Sequence, residues 1–179
     1  MNPRRENTEK YYLLDGNNIV KSTDLFMEEA GGSFVKAQNV LAILSAKKLL
    51  KKNDYLFVFF DGSGFEYRFP PPRQTKVIFG KSKSADQLIT AEIKKHYDLH
   101  IRKGVFTDVT VVSDDREIRE CAKIFGATSW RTQDFIEKLF PKAGKKPVPV
   151  QKKQEKTITF QQEEKITDEL ARHYGLLKK

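Results

Sequence analysis

The sequence predicts an α/β fold in which a mainly parallel sheet is sandwiched between helices. Strand-like and helix-like segments alternate along the chain, the order that builds parallel sheets through helical crossovers. The stretches over residues 12–14, 55–60 and 109–113 are apolar at nearly every position rather than every second one, as in strands covered on both faces. Each of these stretches also runs straight into aspartate, at Asp15, Asp61 and Asp114. Ligand sites of open parallel sheets form beyond the carboxyl ends of the strands at the topological switch point, so three acids at that edge are a functional signal.

The elements follow in order. Residues 1–10 are polar, with Arg4, Arg5 and Lys10, and read as a flexible arm. A first strand covers residues 11–14 and stops at the polar tip Asp15-Gly-Asn-Asn18. Residues 21–32 form a loop with a helical turn around 25–29, closed by Gly31 and Gly32. Ser33 is placed to N-cap a helix to about Leu50, in which Val40, Leu41 and Leu44 recur at helical spacing. Lys47, Lys48, Lys51 and Lys52 suit the negative end of its dipole and read as a solvated helix end. The second strand is 55–60. After Asp61-Gly62, Phe65, Tyr67 and Phe69 alternate with Glu66 and Arg68, an extended arm or edge hairpin that Pro70, Pro71 and Pro72 terminate.

A short strand at 76–79 leads into a basic loop with Lys81 and Lys83. Ser84 followed by Gln87 is a capping box opening a helix to about Tyr97, with Asp86 in its first turn. After the strand at 109–113, Asp114 and Glu117 give a second capping pattern, and the helix stops before Gly126. A strand at 128–130 and a helix at 132–139 complete the domain, over residues 11–140. Residues 141–157 form a Pro- and Lys-rich basic linker. Residues 158–179 regain helical spacing through Ile166, Leu170 and Tyr174, a segment able to dock back on the domain or bind a partner.

Bulk properties narrow the function. Lys and Arg number 33 against 24 Asp and Glu, giving a net charge of +9 and a pI near 9.5, a balance that favours a polyanionic partner such as nucleic acid. One cysteine, Cys121, excludes a disulfide framework and a thiolate zinc cluster. No apolar run approaches the ~20 residues of a membrane helix, and residues 1–10 carry no secretory pattern. A cytoplasmic protein is expected.

Clustered carboxylates repel one another and raise each other's pKa unless a cation compensates. Their hard oxygens select Mg²⁺ or Mn²⁺, which can activate water and neutralise charge on a phosphodiester. Each acid also has a structural explanation. Asp61-Gly62 is a common turn pair, Asp114 is explained as an N-cap, and Asp86 suits the first turn of a helix. Asp115 reads as a solvent-facing helix residue. Asp15 is the hardest to explain by structure alone. His96 and His100 share a helix face, but no third ligand lies near them in the sequence.

The motifs Leu13-Leu-Asp-Gly-Asn-Asn-Ile19, Phe59-Phe-Asp61, Ser84-Ala-Asp86 and Val111-Val-Ser-Asp114 resemble, in order and spacing, those of YacP-like NYN domains of the PIN-like ribonuclease superfamily. The resemblance covers about residues 11–139. It implies a three-layer α/β/α sandwich of Rossmann-like type, in which Asp15, Asp61 and Asp114 meet and Asp86 reaches in from its helix. It also implies a metal-dependent endoribonuclease using Mg²⁺ or Mn²⁺, cutting single-stranded RNA, and within the YacP group messenger RNA in association with the ribosome. On that basis Asp15, Asp61, Asp86 and Asp114 are the expected catalytic set, with Asp15, Asp86 and Asp114 as metal ligands. Asn18 and Ser113 would orient them and, with Arg68, Arg73, Lys81 and Lys83, face the substrate. Two departures stand out: Asn17 occupies a position where the family usually has tyrosine, and Lys83-Ser84 replaces an acidic residue before Ala85-Asp86. The alternatives are an RNA- or ribosome-binding module with a degenerate site and a metal-dependent phosphatase. The latter lacks an Asp-x-Asp pattern after the first strand.

Overall fold

In the computed structural model the described residues are 9–62 and 71–141. They form, in chain order, β1 (Glu9–Asp15), α1 (Gly16–Lys21), α2 (Leu25–Glu29), α3 (Phe34–Leu49), β2 (Asp54–Asp61), β3 (Thr75–Gly80), α4 (Ala85–Lys103), β4 (Thr107–Val112), α5 (Arg116–Ile124), β5 (Thr128–Trp130) and α6 (Thr132–Leu139). The sheet order is β3-β2-β1-β4-β5 and every pairing is parallel. Leu14 pairs with Val58 on one side and Val112 on the other, so β1 is central. The chain builds outward through β2 and β3, then returns to the far side of β1. The switch point is therefore between β1 and β4, beside Asp15.

Alternation along the strands sorts the core into two layers. Tyr12, Leu14, Leu56, Val58 and Phe60 face α1, α2, α3 and α6. Leu13, Phe57, Phe59, Val109 and Val111 face Ile89 and Ile93 of α4 and Ile118 and Ala122 of α5. This is the expected three-layer sandwich, and it explains why β1, β2 and β4 show no polar alternation.

The caps of α3 and α4 follow the sequence, and two element boundaries differ from it. Ser33 accepts from the Lys36 N–H, and the Ser84–Gln87 capping box closes in both directions. The loop expected from residue 21 instead follows a short helix, because Asp15 N-caps α1 through the Asn18 N–H. α4 runs past the expected end at Tyr97 to Lys103 and stops at Gly104, φ 63°. Past Tyr97 only Leu99 and His100 are half-buried among exposed residues, so no apolar row marks the continuation. Gly16 is a steric requirement: a Cβ there would lie 2.3 Å from the Phe60 ring. The aromatic arm at 65–69, the N-terminal residues 1–8 and the segments beyond 141 lie outside the described residues.

Candidate active site

β1 delivers Asp15 to the carboxyl edge of the sheet with only 5% of its surface exposed. One carboxylate oxygen accepts from the Asn18 N–H at 3.1 Å, the other from Ser113 Oγ at 3.0 Å. Ser113, fully buried after β4, also accepts from the Asp115 N–H at 3.1 Å. One hydroxyl thus joins the tips of β1 and β4. Burial pushes the Asp15 carboxyl above its ordinary pKa despite these hydrogen bonds, and repulsion from Asp61 adds to the rise.

Asp61 ends β2. Its Oδ1 accepts from the Ala85 N–H at 2.8 Å, the first amide of α4, and its Oδ2 accepts from Asn17 Nδ2 at 2.8 Å. Both oxygens therefore hold neighbouring elements in place. Ala85 is followed by Asp86, whose carboxyl is raised first by partial burial and then by Asp15, Asp115, Asp61 and Glu117. The cluster assembled at this edge comprises Asp15, Asp61, Asp86, Asp115 and Glu117.

Asp114 is placed differently from the expected cap of α5. Its Oδ1 accepts from the Thr132 N–H at 3.1 Å, at the start of α6, a helix whose own N-cap, Arg131, makes no side-chain cap bond. The cap of α5 is Asp115, through the Ile118 N–H at 3.0 Å. Asp115 is exposed, as expected, but it is the N-cap of α5 rather than a residue within the helix, and there it adds to the acids around Asp86. Sequence periodicity could not separate two adjacent acids, because either offers a cap and only the packing of α6 distinguishes them.

The expected substrate residues divide. Asn18 contributes its backbone to Asp15, and Ser113 its hydroxyl. Lys81 and Lys83 are exposed on the loop entering α4, next to the cluster. Arg73 is not brought to the acids. It lies beside Lys52, Asn53, Tyr55 and Gln74, and Gln74 donates to the Lys52 carbonyl at 2.7 Å. Because β2 and β3 are parallel, their connection returns the chain to the amino edge, a strand length of roughly 20 Å from the acids. Arg68 lies outside the described residues. His96 is a core residue, tilted against the Tyr11 ring at 4.2 Å, with Nδ1 3.2 Å from Thr107 Oγ1.

Among the described residues no three His, Cys, Asp or Glu side chains converge closely enough to cage a metal. Mg²⁺ commonly takes only one or two carboxylates and keeps several waters. Asp86 follows Ala85, whose N–H Asp61 holds, and Asp15 and Asp86 are each raised in part by acids around them, an acidic setting that fits a cation held in that way.

The model of the YacP-like NYN domain matches residues 12–175. The chain belongs to this family. The match continues past residue 139, where the motif resemblance stops, and so takes in most of the C-terminal segment. Among solved structures, the Bacillus subtilis protein Rae1 (YacP) is 18% identical, with a TM-score of 0.55 over 72% of each chain. A tryptophan-to-leucine mutant of that same Bacillus subtilis protein is 19% identical, with the same TM-score over 73% of this chain and 74% of that one. At this identity the likeness shows a shared fold, the parallel five-stranded sheet between helices described above. No curated protein matches the chain.

Asn17 is the residue that motif reading missed. It was visible only as a departure from the family pattern, and its bond to Asp61 connects residues 44 apart.

Proposed function

We propose that this chain is a metal-dependent endoribonuclease that cleaves single-stranded RNA, messenger RNA in association with the ribosome. The observation carrying the reading is the convergence at the carboxyl edge of Asp15 and Asp61, which end the neighbouring strands β1 and β2, with Asp86 on the helix whose first amide Asp61 holds, in a chain of net charge +9. Burial and surrounding acids raise the Asp15 and Asp86 carboxyls. Family membership supports the same chemistry. A bound Mg²⁺ or Mn²⁺ would supply charge neutralisation on the phosphodiester and activation of a water. Asp15, Asp86 and Asp114 supply oxygens to the cation or its waters. Asp114 keeps one carboxylate oxygen without a hydrogen bond among the described residues. Asp61 sets the spacing of α1 and α4, and Ser113 and the Asn18 amide orient Asp15. Lys81 and Lys83 hold backbone phosphate at the rim. The expected place of action is the cytoplasm; among the described residues no helix is long and apolar enough to cross a membrane.

The test is incubation of the protein with single-stranded RNA and with translating ribosomes, with Mn²⁺, with Mg²⁺ and with chelator, beside Asp15→Asn and Asp114→Asn. Cleavage that needs the cation and vanishes in the variants is the expected result. The absence of a three-ligand cage among the described residues gives one alternative substance: an RNA- or ribosome-binding module with a degenerate site. Salt-dependent RNA binding without cation-dependent cleavage by the wild-type protein would establish that alternative.

A further inference from the structure

The far end of the molecule carries a second surface. Among the described residues, six large apolar side chains are exposed, and five of them, Tyr97, Ile101, Val105, Phe106 and Ile124, lie where α4 and α5 end and β4 begins. Ile101 is 62% exposed, Phe106 71% and Ile124 75%. Three of them, Tyr97, Ile101 and Phe106, line a cavity of about 390 Å³ together with Phe125 and Ala127; Val105 and Ile124 adjoin it in the chain, next to Phe106 and Phe125. Scattered exposed apolar residues need no explanation, but a contiguous group around a concavity marks a contact surface. It lies at the amino edge of the sheet, opposite the acids. Lys94 stands 5.8 Å over the Phe125 ring, and Arg102, Lys103 and Lys123 are exposed on the same ends of α4 and α5, against Asp98, Asp108 and Glu120.

We propose that this patch is the docking site of the chain's own segment 158–177. Three facts point to that occupant. As a sequence, the segment places Ile166, Leu170, Tyr174 and Leu177 on one face at helical spacing, matching an apolar seat. It carries Glu163, Glu164, Asp168 and Glu169 against Lys165 and Arg172, net −2 in a chain of net charge +9, so it complements the basic rim. Sixteen residues, 142–157, precede it; they can span roughly 50 Å. A compact body of this size has a radius of gyration of only about 14 Å, so the patch is within reach from residue 141 wherever on the surface the chain departs. The family match through residue 175 agrees with a segment that belongs to the domain.

Thiol mapping in the full chain tests this. With Cys121→Ser as background, Ile101→Cys is combined in turn with Ile166→Cys, Leu170→Cys, Tyr174→Cys and, on the opposite face, Asp168→Cys. Mild oxidation is followed by non-reducing electrophoresis and peptide mass analysis. The expected result is an intramolecular disulfide at monomer mass for the apolar-face pairs, forming roughly tenfold faster than for Asp168→Cys, as a formed helix face requires. Hydrogen exchange gives an independent reading: Leu170→Asp should speed exchange at residues 97–106 and 121–127 and leave α3 unchanged. Equal rates on both faces, no disulfide in any pair, or unchanged exchange in Leu170→Asp overturns the proposal. Disulfide-linked dimers overturn it in favour of a second copy, and an exchange effect that appears only with RNA or ribosomes overturns it in favour of an outside partner. None of these readouts involves cleavage, so they stand apart from the proposed nuclease activity.

Discussion

Asn17 donates its side-chain amide to Asp61 at 2.8 Å, tying the second residue of α1 to the last residue of β2. Asp61 passes the restraint to Ala85, and so to Asp86. The two acids with raised pKa are thus spaced by a third that is occupied on both oxygens.

Breaking that tie should be measurable. Asn17→Ala removes one hydrogen bond at an exposed carboxylate, so urea unfolding should register about 0.5–1 kcal/mol or less. RNA cleavage should fall more than stability does, with a higher cation concentration for half-activity. Asn17→Asp places a carboxylate against Asp61 and should be worse than Asn17→Ala at pH 7, with the difference shrinking as pH falls.

Asp15→Asn should separate stability from activity. The native pKa of Asp15 is raised by burial, so its contribution to stability is fully present below the unfolded pKa and is lost as pH rises through the native value. At pH 7 without metal, the neutral variant should therefore melt no lower than wild type, and any advantage should fade towards pH 4 and below. Adding Mn²⁺ should raise the wild-type melting temperature and leave the variant unmoved, by preferential binding to the folded state.

Ser113→Ala removes the hydroxyl that donates to Asp15 and accepts from the Asp115 amide. The site is buried, so the loss should be about 1–3 kcal/mol in denaturant unfolding. The Asp15 carboxyl loses a bond that lowers its pKa and should titrate higher, observable by NMR of its side-chain carbon.

Gly16→Ala drives a methyl group into the Phe60 ring, which is fully buried between β2 and α1. Overpacking of this kind costs about 1–3 kcal/mol. Phe60→Leu alone should destabilise through lost packing, and the double variant should be less destabilised than the sum of the two. A double-mutant cycle in urea measures that coupling.

Much of this was legible along the chain. The Ser33 cap and the Ser84–Gln87 box rest on interactions within four residues, which sequence spacing reports directly. The apolar continuity of residues 12–14, 56–60 and 109–112 required a sheet covered on both faces. The extent of α4 was not legible, because after His96 no residue of the helix is buried and no apolar row leads to its stop at Gly104.

By itself, the sequence determined that acids stand at the tips of three strands, because where a strand stops and turns is set by short-range properties, and the alternation with helices implied that the strands run parallel. Only the tertiary structure decided which of them come together. The parallel crossover carried Arg73 to the opposite edge, the docking of α6 claimed an oxygen of Asp114, and Asp115 took the place beside Asp86. Those outcomes depend on contacts between residues far apart in the chain, and no local pattern encodes them.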